Sequence, residues 1–473
     1  MKVFLIWAGK GPEIKNLMLE LKKHGQEIVY WVGSPGGEKD KLPETIFHDH
    51  WQAIAGLPAE DINMAEFSPP GEDLIEKLYR AESIILTMMN KRYDKMGVDE
   101  RRHLYYNMLQ YWHGIIKKYK PELIIFPIIP HTVFNYLIYE LARLLNIKVI
   151  TFEDTWVSDR ALLYTDFWQG SEALHKELRE NQDKIFSLGD LDSDLQEYYK
   201  AQKDKDSDKA PPYTKKWRQQ HTITNKFFRK MRIIIASLKD FSVFRKGLTY
   251  FLKIKSNPKR EYASVEAEVD FAEKFIYLPL NYQPERTSSP QGSIFVDQIL
   301  MIEILAASLP KDWVIYVKEH PTQIPARGLN FSSSRYQGYY KRISELKRVK
   351  LIPIETDTYT LINKSLAVAT VTGTAGWEAV LRSKPAIIFG YPWYRDCPGV
   401  FKVNGVESCQ KVLQKIKEGF KIEPQQIINY LYSFDKATIH GYVDTGISVN
   451  SKLNKQERMN NFAQAILKEI RKI

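Results

Sequence analysis

The stretch Val371-Thr372-Gly373-Thr374-Ala375-Gly376-Trp377-Glu378 puts small hydroxyl residues, glycines and one acid where a buried strand should pass into a helix. The apolar run Ala367–Val371 reads as a parallel strand, and a helix should begin near Ala375. The start of a helix leaves backbone N–H groups unpaired, and the positive end of the helix dipole adds to them, so an anion fits there. Thr372 and Thr374 can supply hydroxyls to that anion, although either could equally be a plain N-cap. Glu378 follows one turn into the helix, close enough to meet the same ligand.

Two further strand ends should converge on the same sheet edge. One carries Gln283, Glu285, Arg286, Thr287 and Ser288, and the other Lys318, His320 and Pro321. A helix start, cationic groups, hydrogen-bond donors and a carboxylate suit a phosphate-bearing donor such as a nucleotide-sugar. Lys318 and His320 would neutralise phosphate oxygens, Thr372, Gly373 and Thr374 would donate to them, and Glu378 would hold ribose hydroxyls. Tyr391, in the turn Gly390-Tyr391-Pro392-Trp393-Tyr394, would line the base pocket or belong to the core. In the first half of the chain, His131 and the pair Glu153-Asp154 stand at strand ends, where open α/β sheets bind ligands. His131 could also be a satisfied histidine near a helix start. A glycosyl transfer needs a stabilised leaving phosphate and a base for the acceptor hydroxyl, and a retaining one can add a carboxylate nucleophile. Glu153 and Glu285 come from different halves and are expected to face each other across a cleft. No Walker-type or GxGxxG sequence precedes a helix, which disfavours P-loop nucleotides and NAD. No Cys/His cluster and no DxD-like pair is suitably placed, so no metal and no cofactor is expected.

The elements that must hold these residues are legible from periodicity. Residues 1–8 read as a strand, Pro12–His24 as a helix and Glu27–Val32 as a strand, a Rossmann-type opening. Residues 41–94 read as loops and helices decorating a sheet, and Asp99–Tyr119 as an amphipathic helix. Leu123–Phe126 and Lys148–Phe152 are strands flanking a helix at His131–Leu145, and residues 161–210 are mostly helical and polar. A second α/β unit starts near Lys274, with strands at Phe275–Leu280, Trp313–Lys318, Val349–Pro353, Ala367–Val371 and Ala386–Phe389. Residues 410–433 and 452–473 read as helices. The division expected is 1–210, an N-terminal Rossmann-like acceptor domain; 211–265, a basic helical insertion or linker; 266–450, a Rossmann-like donor domain; and 451–473, a helix packing back on the first domain.

With 473 residues the chain exceeds one compact core. Its two cysteines, Cys397 and Cys409, argue against a disulfide framework and for a reducing cytoplasm. MKVFLIWA reads as a strand, not a signal peptide, and no apolar run of about 18 residues offers a membrane span. Net charge is +11, yet Lys215 to Arg260 alone carries fourteen basic residues and one acid. That segment is either a solvated basic face on amphipathic helices within 222–256 or a dock for an anionic membrane surface. No nucleic-acid motif accompanies it, so nucleic acid is not an expected partner.

His320-Pro321 followed by Thr372-Gly373-Thr374-Ala375-Gly376-Trp377-Glu378-Ala379 resembles the bacterial capsule and lipopolysaccharide glycosyltransferases of the GT-B fold that use CMP-activated sugars. The match lies with the capsule-type β-Kdo transferases, where a serine/threonine turn, Gly, aromatic, Glu, Ala motif follows a His-Pro motif. That family also carries Glu-Asp-Gly-Phe-Leu-Arg-Ser after a strand, where this chain has Glu153-Asp154-Thr155-Trp156-Val157-Ser158-Asp159-Arg160. The resemblance covers residues 123–165 and 275–405. It implies an α/β, GT-B-like fold of two Rossmann-type domains facing across a cleft, with a basic helical insertion and a C-terminal crossover helix. It implies His320, Thr372 and Thr374 on the donor phosphate and Glu378 on the ribose. On the other side it implies Glu153 as catalytic carboxylate and general base; Asp154 beside it is a further catalytic candidate, and Trp156 and Arg160 in the same stretch, with His131 at its own strand end, are the candidate acceptor-side residues. Glu285 stands only approximately where the family has an Asp near its donor strand. The implied reaction moves an acidic sugar (Kdo or another nonulosonate) from a CMP-sugar to an oligosaccharide or glycolipid acceptor of a surface polysaccharide. The two cysteines point to a cytoplasmic location, and the basic segment 215–260 offers a peripheral place on the inner face of the plasma membrane as the alternative to a plain solvated face. A transferase using a CDP-activated polyol phosphate, a nucleotide-sugar epimerase and a non-catalytic capsule assembly protein are the rival readings.

Overall fold

The computed structural model describes residues 1–9, 12–34, 44–203, 256–327, 330–443 and 453–472. Most of the basic segment 215–260, including the helices expected within 222–256, lies outside the described residues, as does the polar run 204–210.

The first sheet contains β1 (Lys2–Ile6), β2 (Glu27–Gly33), β3 (Ile46–Asp49), β4 (Leu123–Ile125), β5 (Lys148–Asp154) and β6 (Arg160–Tyr164). The second contains β7 (Lys274–Pro279), β8 (Trp313–Lys318), β9 (Val349–Leu351), β10 (Ala367–Thr370), β11 (Ala386–Ile388) and β12 (Val400–Lys402), after which β13 (Ile439–His440) returns to the first. The orders are β13-β6-β5-β4-β1-β2-β3 and β12-β11-β10-β7-β8-β9. From β3 to β5, and throughout the second sheet, neighbouring strands are parallel. Parallel strands are covered on both faces, which is why they read as continuous apolar runs; Val3, Phe4 and Leu5 of β1 and Ala367–Ala369 of β10 are fully buried. Two such sheets form the expected α/β, GT-B-like plan. In each the strand order reverses beside the central strand, between β1 and β4 and between β7 and β10, so ligand crevices are expected at the carboxyl ends of those pairs.

Four strands were not anticipated: β3, β6, β12 and β13. β6 falls where the polar stretch suggested helix. The reversal at Thr155–Asp159 makes it a strand: Trp156, Ser158 and Asp159 adopt positive φ of 60°, 43° and 53°, and the Thr155 hydroxyl donates to Arg160 O at 2.7 Å. The expected helix 410–433 is two helices, Val406–Lys417 and Pro424–Ala437. Gly419 at φ +92° ends the first turn sequence, and Pro424 opens the next helix at its N1 position.

The chain leaves the second sheet early. Helix Pro424–Ala437 packs on helix Glu172–Glu180, and β13 then pairs antiparallel with β6. The first domain is therefore rejoined at Ile439, ahead of the boundary expected at 450. The last helix, Lys455–Ile470, lies along helix Pro12–Lys23, where Arg458 pairs with Glu13 at 2.5 Å. Its Phe462 and Ile466 join Trp7 and Phe152 in one core. Cys397 and Cys409 are free and buried. Among the described residues no helix is long and apolar enough to cross a membrane.

Candidate functional site

In the second domain the loops after β7, β8 and β10 meet at the switch point. The loop after β7 is held from beneath by amides and a buried ion pair. Gln298 donates to Asn281 O at 3.0 Å and to Gln283 Oε1 at 2.6 Å, and Gln323 brackets the backbone of Gln283 at 2.9 and 3.0 Å. Arg335 reaches Gln283 Oε1 at 2.7 Å and pairs with Glu319 at 2.5 Å. A buried pair of this kind is tolerated because Tyr340 and the His320 N–H satisfy the remaining carboxylate lone pairs. Arg335 lies sixteen residues from Glu319, so sequence spacing offered no signal for the pair.

The helix Thr374–Leu381 starts at the end of β10, with Gly373 as a cap that has no side chain to close it. Its first N–H groups thus remain open to a ligand. Thr374 is exposed there. Thr372 is not: it is buried, and its hydroxyl donates to Thr287 O at 2.6 Å, tying this loop to the one after β7. Gly373 N donates to Thr370 Oγ1 at 3.0 Å. Gly376 leaves room for Tyr394, whose hydroxyl donates to Gly373 O at 2.5 Å; a Cβ on Gly376 would lie 2.4 Å from that hydroxyl.

Lys318 and His320 do not act as a pair of phosphate-neutralising cations. Lys318 is 3% exposed, and its ammonium donates to Thr356 O at 2.7 Å and Thr358 Oγ1 at 2.6 Å. Burial lowers its pKa to about 8, against the opposing pull of Asp357, Glu355 and Glu378. Its ammonium is thus engaged by the Thr356–Thr358 turn, with the charges of Asp357, Glu355 and Glu378 acting on it. His320 is held neutral, its pKa lowered to about 4 by burial despite the neighbouring Glu319. Its Nδ1 accepts from the Thr322 backbone N–H at 3.3 Å and faces the Thr322 hydroxyl at 2.9 Å. The proton therefore sits on Nε2, so His320 offers one neutral hydrogen-bond donor. Pro321 is exposed beside it.

In the first domain β5 runs on through Glu153 and Asp154, and the alternation of a strand separates their side chains. Glu153 is 3% exposed and accepts from Tyr164 Oη at 2.9 Å and Gln291 Nε2 at 2.7 Å. Burial raises its pKa, opposed by Arg286, by these two bonds and by Arg395. Asp154 points to the other face and accepts from Val443 N at 2.8 Å, which fastens the returning chain. Arg160 is fully committed: it pairs with Asp435 at 2.7 Å and Asp194 at 2.5 Å, and lies 3.5 Å from Asp192. Asp192, Asp435 and His440 converge at metal-like spacing, but the Arg160 guanidinium already supplies the positive charge to two of them. Trp156 is half-buried in the reversal at φ +60°. Among the described residues His131 bonds no carboxylate, and its Nδ1 lies 2.9 Å from Ile129 O. Burial and the nearby Arg286 lower its pKa to about 3.

Glu285 does not meet Glu153. It is exposed on its turn and accepts from Thr287 Oγ1 at 3.0 Å. The residue that crosses to Glu153 is Gln291, which sequence reasoning passed over. Its backbone O accepts from Tyr391 N at 2.9 Å, and its amide donates to Tyr391 O at 3.1 Å. Tyr391 in turn packs edge-on against Trp168 at 4.8 Å, and Lys402 lies 4.1 Å over its ring. The two domains are joined around this point by Trp377 Nε1 to Tyr198 Oη at 2.9 Å and by Arg395 to Phe167 O at 2.7 Å.

The loops and helix just described belong to the part of the chain with recognised relatives. Residues 286–429 match the family described as capsule polysaccharide biosynthesis protein. The likeness read from the His-Pro and Thr-Gly-Thr motifs is borne out for this segment. The capsule polysaccharide modification protein LipA of Neisseria meningitidis serogroup B (strain ATCC BAA-335 / MC58) is 32% identical over 80 residues, which are 17% of this chain and 10% of LipA. The chain thus spans about a tenth of the curated relative it matches. Among solved structures, the β-Kdo 2,4 transferase of Thermosulfurimonas dismutans KpsC is 12% identical with a TM-score of 0.31, covering 66% of this chain and 78% of that one. The UDP-GlcNAc 2-epimerase of Methanocaldococcus jannaschii is 13% identical with a TM-score of 0.28, over the full length of both chains.

Proposed function

We propose that this chain is a capsule or lipopolysaccharide glycosyltransferase that moves an acidic sugar, Kdo or another nonulosonate, from a CMP-activated donor to a saccharide or glycolipid acceptor. The observation that carries the reading is the pairing of an uncapped helix start at Gly373–Thr374 with a buried carboxylate, Glu153, delivered from the other domain and bound there by Gln291. The first suits a leaving phosphate and the second a base.

In this reading the donor phosphates meet the helix N–H groups, the Thr374 hydroxyl and the Nε2–H of His320. These are neutral donors aimed where negative charge grows as the glycosyl bond breaks. Glu378 takes the ribose hydroxyls. Glu153 accepts the proton of the acceptor hydroxyl. Its burial favours the protonated form, which makes it a stronger base than a solvated carboxylate. Gln291 and Tyr164 orient it, and Glu285 is turned to Thr287 on its own loop. We therefore assign Glu153 the base role and give Glu285 none in the transfer step. The match of residues 286–429 to a capsule polysaccharide biosynthesis family supports a capsule polysaccharide as the product.

The test is a screen of CMP-, CDP- and UDP-sugars for nucleotide release with a matched acceptor. Release from CMP-linked acidic sugars above the other two is the expected result. Preferential release of UDP or CDP would overturn the CMP-sugar assignment.

A further inference from the structure

The loop after β7 places one more charged side chain at the junction of the two domains. Arg286 is partly exposed, yet its Nη1 is buried and has no hydrogen-bond partner among the described residues. Its charge acts on Glu153 and on His131, the two titratable groups that the first domain brings to this place. It makes no ion pair with Glu153, whose oxygens are taken by Gln291 and Tyr164. Gln291 is in the converse state: its amide nitrogen is used twice, while its Oε1 is buried without a partner. A buried guanidinium N–H left without an acceptor is costly, more so because the group is charged. Two orphaned groups of opposite sense, one cationic donor and one acceptor, sit on the same loop beside the same carboxylate. The fold alone does not explain either.

We propose that Arg286 is the seat of an anionic group of the substrate, a sugar carboxylate or a phosphate, bound beside Glu153 with a neighbouring hydroxyl donated to Gln291 Oε1. The inference rests on the glycosyltransferase reading for the word substrate, but its binding test does not. A guanidinium takes a carboxylate or phosphate through two parallel hydrogen bonds, and the exposed flank of Arg286 gives the anion its way in. Placing a negative charge there also raises the proton affinity of Glu153, so binding at Arg286 and base strength at Glu153 are coupled.

The experiment titrates the full chain and its Arg286→Gln and Arg286→Lys variants with three probes: free Kdo, CMP and inorganic phosphate. Arg286→Gln should weaken one probe roughly tenfold or more, with Arg286→Lys between it and the unaltered protein. Loss in the Kdo arm assigns the seat to a carboxylate, and loss in the CMP and phosphate arms assigns it to a phosphate. A second readout is the acid limb of the pH–rate profile. In the unaltered protein saturating substrate should move that limb to higher pH, and in Arg286→Gln it should not; a merely structural arginine would leave the shift intact. Equal affinities across the three proteins in every arm would overturn the inference, as would failure of the unaltered protein to bind any probe at millimolar concentration. Glu378→Ala in the CMP arm separates the two claims. If Glu378→Ala weakens CMP while Arg286→Gln changes nothing, the inference fails and the donor reading stands. If Arg286→Gln abolishes Kdo binding while CMP never binds, the donor reading fails and the anion seat stands.

Discussion

The ends of β10 and β5 carry the two motifs that stand out in the sequence, and they use their residues differently. After β10 the chain enters a helix, so the backbone itself becomes the ligand-facing group and Thr374 stays exposed. After β5 it reverses into β6, so only every second side chain faces the other domain. Glu153 does so, while Asp154 and Arg160 are consumed in tying the hairpin to Val443, Asp194 and Asp435. A parallel strand that feeds a helix presents a run of consecutive residues to a ligand. An antiparallel return halves that run and turns the rest into struts.

The contrast can be broken most forcefully at Glu153. Glu153→Gln should lower transfer on the order of a thousandfold, because the base is lost while the side chain keeps its shape and one acceptor oxygen, the amide N–H turning to the Tyr164 hydroxyl. Asp154→Asn should leave the rate within a few-fold and lower stability by about 1 kcal/mol. Comparable rate losses in both, measured as kcat on correctly folded protein, would erase the distinction between the two faces of β5. Next in size is Arg160→Met, which strands Asp435 in the interior. Urea unfolding should show a loss of about 3 kcal/mol, and an unchanged midpoint would return Arg160 to the pool of free acceptor-binding groups. On the β10 side, Thr372→Val should cost about 1 kcal/mol of stability, and Thr374→Val should leave stability alone while weakening nucleotide binding several-fold. The reverse pattern would mean that Thr372 touches the ligand.

The smallest effect treats the two regions alike. His131 and His320 are held near pKa 3 and 4, below the value of an unfolded histidine. Between about pH 6.5 and 4 the unfolded chain binds more protons, so stability falls as pH is lowered through that window. Each should contribute on the order of 1 kcal/mol, after allowance for partial exposure. His131→Asn and His320→Asn should each flatten the decline in melting temperature between pH 7 and pH 4.5, and an unflattened decline would assign it to other groups.

Much of the fold was readable because parallel strands leave an unbroken apolar trace. Leu123–Ile125, Trp313–Lys318 and Ala367–Thr370 were each placed within one or two residues. The short edge strands β3, β12 and β13 carry too few buried side chains to leave a period, and β6 follows a reversal with positive φ at Trp156, Ser158 and Asp159, where only the Ser158-Asp159 pair, without Gly or Pro, marks a turn. At the site, the helix start was visible because its chemistry is local. Gln291 was not, because a glutamine acquires meaning only when another domain puts Glu153 beside it, and Arg286 was placed in its loop without its relation to Glu153. Lys318 and His320 had the right address but not the expected use: burial leaves the His320 imidazole neutral, and the Lys318 ammonium is already engaged by Thr356 and Thr358.

Glu378 is assigned to the nucleotide and Glu153 to the acceptor. Calorimetric titration of CMP into the unaltered protein, Glu378→Ala and Glu153→Gln tests this assignment in one series. The prediction is a Kd at least several-fold weaker for Glu378→Ala, and a Kd for Glu153→Gln equal to that of the unaltered protein. Equal weakening in both variants, or weakening in Glu153→Gln alone, would contradict it.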